Sequence, residues 1–307
     1  MYDLIGDIHG HADELEALLS QMDYKQTATG WQHSSRKVIF LGDFVDRGPQ
    51  QIESVALART MVENQHALAV MGNHELNAIA YATPDPEQQG QHLREHTDKN
   101  RKQHQAYLEQ IGEGSALHQQ HIAWFKTLPL YLDMPDFRVV HACWHSKELE
   151  VLSTYLDAKQ RVLNSAWPEL TRSGSAGYYA VETLLKGLEI PLPDGLHFFD
   201  KDQNKRNSIR TQWWQQHALT YRDLAMVPAD IIERIPHTPV SNDVLPGYAG
   251  DKPLFVGHYW LTGTPAPLND HIACLDYSVA GGDNGKLCAY RWSGEKKLTQ
   301  EQFVWVE

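Results

Sequence analysis

The chain has 307 residues, 42% hydrophobic and 21% charged, an ordinary globular composition with ample length for a buried core. Its formal net charge of −12 excludes a broad surface for a nucleic-acid polymer, and no stretch forms a basic stripe. Three cysteines (Cys143, Cys274, Cys288) are few and odd in number, and there is neither a signal-like start nor a long apolar run, so the sequence reads as a soluble cytoplasmic protein without a membrane partner.

The first eighty residues alternate strand and helix. A strand over residues 1–5 runs into "GDIHG" and then a helix over 12–22, with Leu15, Leu18, Leu19 and Met22 on one face. A strand over 38–41 runs into "GDFVDRGPQ", where Pro49 opens a helix with Ile52, Val55 and Val62 inward. A third strand over 67–71 runs into "GNHE" and a helix from about Glu75. This βαβαβ order predicts parallel strands with right-handed crossovers. Residues 84–125 turn to Gln, His, Glu and Lys with few apolar positions, which predicts an inserted, largely helical and solvated segment. Its histidines (His92, His96, His104, His118, His121) fit a solvated face better than a further metal site. "FRVVHACWH" returns to a strand, residues 146–236 form a second, aromatic-rich insertion, and "PLFVGHYW", "HIACLDYSV", "KLCAYRW" and "QFVWV" read as closing strands. The expectation is one α/β domain over 1–307, with insertions at about 84–126 and 146–236.

Ligands of α/β sheets gather at the carboxyl ends of strands, where loops from separate strands converge. Asp7 and His9, Asp43, Asn73 and His74, His141, and His258 each follow such a strand. Any one alone is an ordinary turn or a packed histidine. Five strand ends with the same polar, metal-ligating chemistry are not.

Together "GDIHG", "GDFVDRG", "GNHE", "VHA" and "GH" resemble the five signature blocks of the calcineurin-like metallophosphoesterases. The "DRG" and "GNHE" forms are most similar to the phosphoprotein phosphatase branch, which includes serine/threonine phosphatases and bacterial diadenosine tetraphosphatases. The resemblance implies two facing mixed β-sheets flanked by helices, and a site with two divalent metals. It assigns Asp7, His9 and Asp43 to the first ion, and Asp43, Asn73, His141 and His258 to the second. A shared ligand needs two oxygens facing different ions, which a carboxylate such as Asp43 supplies. Mixed oxygen and nitrogen donors suit Mn best, with Fe or Zn as alternatives, over Ca or soft copper. Two ions about 3.5–4 Å apart can hold a bridging hydroxide for in-line attack on phosphorus.

Arg47 places a forked cation beside these ligands, suited to phosphate oxygens. His74 follows a ligand directly and can protonate a leaving oxygen, with Asp46 as the partner the resemblance implies. The second phosphate-binding arginine is not fixed by a motif: Arg206 and Arg210 are candidates, or they lie on an exposed basic helix face. The chain departs from the resemblance at Cys143, where a Gly is common; the nearby His145 reads as structural rather than substrate-contacting. The expected activity is hydrolysis of phosphate monoesters on a phosphorylated protein or small molecule. The alternatives are a dinucleoside polyphosphate or nucleotide pyrophosphohydrolase, with Trp213, Trp214, Tyr259 or Trp260 stacking a base, and a non-catalytic binding protein that keeps the fold.

Overall fold

The computed structural model describes residues 1–199, 205–215, 220–227, 229–241, 244–246 and 248–307. In chain order the strands are β1 (Tyr2–Ile5), β2 (Lys25–Thr27), β3 (Gly30–Gln32), β4 (Lys37–Phe40), β5 (Ala67–Ala69), β6 (Tyr131–Asp133), β7 (Arg138–Val140), β8 (Glu189–Pro191), β9 (Phe198–Phe199), β10 (Lys205–Arg206), β11 (Ser208–Arg210), β12 (Leu254–Val256), β13 (Ile272–Cys274), β14 (Asp276–Tyr277), β15 (Lys286–Trp292) and β16 (Phe303–Val306). The principal helices are α1 (Ala12–Gln21), α2 (Gln51–Glu63), α3 (Asn73–Ala82), α4 (Asp98–Ile111), α5 (Ala116–Phe125), α6 (Ser146–Leu152), α7 (Trp167–Thr171) and α8 (Ala176–Lys186).

Strands β1, β4 and β5 pair in parallel, as the βαβαβ order predicts, and β15 joins β1 antiparallel with β14 and β16 attached to it. The second sheet has the order β13-β12-β7-β6, with β12 parallel to both β7 and β13. Alternation along the strands shows how the two sheets meet. Leu4, Ile39, Val139, Phe255 and Ala273 share one buried cluster, while their chain neighbours Ile5, Phe40, Val140, Val256 and Cys274 belong to another, beneath the helices. Phe137 lies 4.6 Å from Trp292 and 5.9 Å from Phe255, ring centre to ring centre, and Phe255 is 5.2 Å from Tyr290, so aromatic rings fill the space between the sheets. The result is two facing mixed sheets flanked by helices.

Several local expectations need correction. The inward face of α2 is Gln51, Ser54, Val55, Ala58 and Met61, whereas Ile52 and Val62 are only half-buried. Helix α3 starts at Asn73, earlier than expected, because Glu75 reaches back to accept the Gly72 N–H. The segment between residues 84 and 126 is helical but not solvated throughout. Helices α4 and α5 pack on α2 and α3, and His104, His118 and His121 are buried beside Tyr107, Ile122 and Phe125. Helical spacing fits a buried stripe as well as an exposed one, and the aromatic residues between these histidines take the stripe inward. His92 is half-buried and His96 exposed, the two stacked in series on Tyr81. Residues 205–206 and 208–210 form short strands rather than a basic helix face, and residues 200–204 of the same stretch lie outside the described residues. Strand β11 pairs with β8 over a small core of Ile190, Leu192, Phe198, Ile209 and Leu224. Among the described residues, no helix is long and apolar enough to cross a membrane.

Candidate metal centre

The loops after β1, β4, β7 and β12 and the first turn of α3 converge at one edge of the sandwich. There they assemble two sets of donor atoms, each within 4.8 Å of one another: His9, Asp43 and His74, and Asp43, His141 and His258. Asp43 belongs to both. Asp7 adds a carboxylate oxygen 4.0 Å from His9 Nε2, and Asn73 brings its amide oxygen to 3.2 Å from His141 Nε2. All six residues expected as ligands therefore meet in one place.

The backbone is bent unusually to do this. Of the ten described non-glycine residues with positive φ, six belong to this site: His9, Asp43, Asp46, Arg47, His258 and Trp260. Left-handed backbone is costly for such residues and persists only where surrounding contacts impose it. Those contacts are visible. Glu75, fully buried, accepts N–H bonds from Asp43 (2.8 Å), Phe44 (2.8 Å) and Gly72 (3.0 Å), fixing the "GD" turn from the first turn of α3. Gln51 accepts the Asp46 N–H at 2.6 Å, which explains why α2 buries a glutamine. Asp276 accepts the Trp260 N–H at 2.7 Å and holds the last loop. A Cβ on Gly72 or Gly257 would sit 2.1 Å from a carboxylate oxygen of Asp43 or Asp7, so both positions need glycine. The sequence reading missed Glu75, Gln51 and Asp276. Only Glu75, inside "GNHE", carried a signal.

The donor orientation fits metal ions. His9 and His141 give Nδ1–H to the carbonyls of Val45 (3.0 Å) and Leu41 (2.7 Å), which turns Nε2 of each towards Asp43. His9 Nε2 is buried without a hydrogen-bond partner, 3.7 Å from Asp43 Oδ2, while His141 Nε2 and His74 Nε2 lie 3.3 and 3.9 Å from that same oxygen. A carboxylate oxygen ringed by imidazole nitrogens, one of them orphaned, is a donor set that divalent cations such as Mn, Fe or Zn satisfy. The protonation energetics agree. Burial, with Asp276 and Asp43 nearby, raises the Asp7 carboxyl well above the usual range, and burial with His74 lowers His9 to about 3. Burial works against charge on His141 and Asp43 as well, yet their mutual attraction prevails, raising His141 to about 10 and holding Asp43 well below the usual carboxylate range.

Beside the donors, Asp46 bridges two imidazoles. Its oxygens lie 2.5 Å from His74 Nδ1 and 2.5 Å from His104 Nδ1. Burial opposes the charge on Asp46, but these two rings hold its carboxyl well below the ordinary value. His74 is raised, because Asp43 and Asp46 outweigh its burial. His104, from α4, is the part of this relay that the sequence reading placed on a solvated face. Arg47 is exposed, with its guanidinium 4.5 Å above the Trp260 ring. Arg210 donates to His258 Nε2 at 3.1 Å and approaches Glu189 at 3.4 Å, and Arg206 lines the same cavity of about 540 Å³ as Arg47, His74 and Trp260. Of the four aromatics considered for base stacking, Trp213, Trp214 and Tyr259 are buried, the first donating to the Tyr259 hydroxyl at 2.7 Å; Trp260 alone faces the cavity. Cys143 is buried, and His145 sits at the start of α6 away from the cavity lining.

Among proteins of known name, the asymmetrical bis(5'-nucleosyl)-tetraphosphatase PrpE of Oceanobacillus iheyensis is 41% identical over 73 residues, 24% of this chain and 29% of that protein. The symmetrical bis(5'-nucleosyl)-tetraphosphatase of Aromatoleum aromaticum is 28% identical over 214 residues, 64% of this chain and 69% of that protein. This chain thus spans less than a third of the length of the PrpE of Oceanobacillus iheyensis and of that of Halalkalibacterium halodurans, 29% and 30%. A cold-active protein-tyrosine phosphatase of a psychrophilic Shewanella shares the fold, with a TM-score of 0.51 at 14% identity, covering 94% of this chain and 75% of that one. Residues 2–192, more than half of the chain, match the calcineurin-like phosphoesterase family, and the chain belongs to that family.

Proposed function

We propose that this protein is a metal-dependent phosphatase that hydrolyses phosphate monoesters. The observation that carries the reading is Asp43, whose single carboxylate stands within reach of both donor sets while His9 Nε2 waits, buried and unpartnered, beside it. In this reading Asp7, His9 and Asp43 hold one divalent ion, and Asp43, Asn73, His141 and His258 hold the other. Such a pair supplies Lewis acidity and an activated water for in-line displacement at phosphorus. The chain's own groups do the rest. Arg47 binds phosphate oxygens through its fork, kept in place by the Trp260 ring. Arg210 and Arg206 line the same cavity and take the remaining oxygens. Asp46 orients His74 through Nδ1, so that Nε2 faces the reacting phosphate and gives its proton to the leaving oxygen.

A second reading, hydrolysis of a phosphoanhydride in a dinucleoside polyphosphate, is favoured by the cationic lining of the 540 Å³ cavity, which extends past the donor residues, and by the names of the similar proteins. A binding protein without catalysis is disfavoured by the full donor set together with the His74–Asp46 pair. The test is turnover of a phosphoserine peptide, nitrophenyl phosphate and diadenosine tetraphosphate, before and after removal of metal by a chelator. Activity is expected to vanish on stripping and to return with Mn far better than with Ca, which prefers more oxygen ligands. Full activity in excess chelator would overturn the reading.

A further inference from the structure

The cavity over the donor residues carries an arginine that none of the motifs contains. Arg94 lies just before α4, and its guanidinium is held entirely by neutral oxygens: Asn77 Oδ1 at 2.6 Å, Gln103 Oε1 at 2.9 Å and Asn100 Oδ1 at 3.1 Å. Among the described residues no carboxylate comes within ion-pair distance of it. Glu182, the acidic group with the strongest pull on Arg94, is engaged by Lys186 at 2.5 Å. Arg210 likewise leans on Glu189. Three amides fix the position of the guanidinium and leave its charge without a direct ion pair, an expensive arrangement for a half-buried group unless an anion completes it.

Its place relative to the chemistry is set by α3. Asn73 and Asn77 are four residues apart on that helix, so they share a face and are separated by about 6 Å along the axis. Asn73 belongs to the donor set, and Asn77 holds Arg94. The guanidinium therefore sits about one helical turn beyond the donors, on the wall of the same cavity.

We propose that Arg94 anchors a second anion subsite, which takes a phosphate of the substrate remote from the one being hydrolysed, so that preferred substrates carry two or more phosphates. This rests on the phosphatase reading of the site, and deepens it towards polyphosphate esters. Nη1 gives one N–H and Nη2 both of its own to the amides, so the Nε–H and the second Nη1–H remain for charge-assisted bonds to phosphate oxygens. A monoester with one phosphate leaves the subsite unused.

The test compares ligands with one and several phosphates. Protein loaded with Mn and freed of excess metal is titrated calorimetrically with orthophosphate and with tripolyphosphate, and its metal content is checked afterwards. Wild type is expected to bind tripolyphosphate at least about tenfold more tightly than orthophosphate, and Arg94→Gln to weaken tripolyphosphate by about 10- to 100-fold with orthophosphate changed less than about threefold. Arg94→Lys keeps the charge without the fork and should fall between, which preserves the test if the Gln variant folds poorly. The same pattern should appear in kcat/KM, large for diadenosine tetraphosphate and small for nitrophenyl phosphate. No preference for tripolyphosphate in wild type, or equal losses for both ligands, would reduce Arg94 to a clamp between α3 and α4 and overturn the proposal. If the protein turned over no phosphate ester at all, the phosphatase reading would fail, while the calorimetric difference would still decide the subsite.

Discussion

Two histidine-rich regions of this molecule meet at Asp46, and they are built on opposite terms. At the strand ends, His9, His141 and His258 stand on bent loops with their ring positions fixed, and Nε2 of His9 and His141 is turned inward beside a carboxylate. On α4 and α5, His104, His118 and His121 stand on regular helix and are buried among aromatic rings; His104 Nε2, His118 Nε2 and His121 Nδ1 lack hydrogen-bond partners. The first group surrounds carboxylates. In the second, among the described residues, Asp46 is the one carboxylate within ion-pair distance, and only His104 reaches it. Among the described residues, no three of these helix histidines bring their nitrogens together as a metal would need. The lesson is that burial of a histidine does not make a ligand; a shared anionic neighbour and a fixed inward nitrogen do.

Breaking the first region at its shared point should have the largest effect. Asp43→Asn keeps the oxygen that accepts the His74 N–H but removes the charge that faces both donor sets. Turnover is expected to disappear, and elemental analysis should find both ions weakened rather than one. Two tightly bound ions in the variant would remove the shared-ligand role.

The next effect separates proton transfer from metal binding. His74→Asn should lower kcat by roughly 10²–10⁴-fold on a phosphoserine substrate, whose alkoxide needs a proton to leave. A nitrophenolate leaves unaided, so the loss on nitrophenyl phosphate should be much smaller, with metal content near normal. Equal losses on the two substrates would leave His74 a positioning residue instead of the acid.

How much of this could be read from the residues depends on the kind of signal each region gives. The strand-end positions were legible because glycine, aspartate and histidine in short turns after β-branched runs have few other uses, and five such turns occur in register with the strand order. The helix histidines were not. The same i, i+3, i+4 spacing describes a wet face and a dry one, and what decides is the neighbouring surface, here α2 and α3. Arg94 escaped for the same reason, since its three amide partners are dispersed over residues 77, 100 and 103 and meet only when α3 and α4 pack. Gln51 and Asp276 support the loops through backbone N–H groups, and bonds of that kind leave almost no trace in sequence.

The smallest effect, and the one that tests the second region by itself, concerns stability rather than catalysis. Burial, together with Arg59 and His118 nearby, lowers His121 to about 4, against an ordinary value near 6.5. Between those two values the unfolded chain binds a proton at this residue and the folded chain does not. Stability therefore falls as the pH is lowered through that window, and no further contribution is lost below about 4. Phenylalanine at this position keeps a ring against Tyr107 and Phe125, centres 6.0 and 6.1 Å away, and removes a buried nitrogen that has no partner. His121→Phe should consequently match or exceed wild type in Tm at pH 7.5, and its Tm should drop less on going to pH 5, by about 2–5 °C. Differential scanning calorimetry of the two proteins across that range is the measurement. Parallel Tm profiles would mean that His121 titrates as an ordinary histidine, so that water reaches α5 and the interior of this region is wetter than its burial implies.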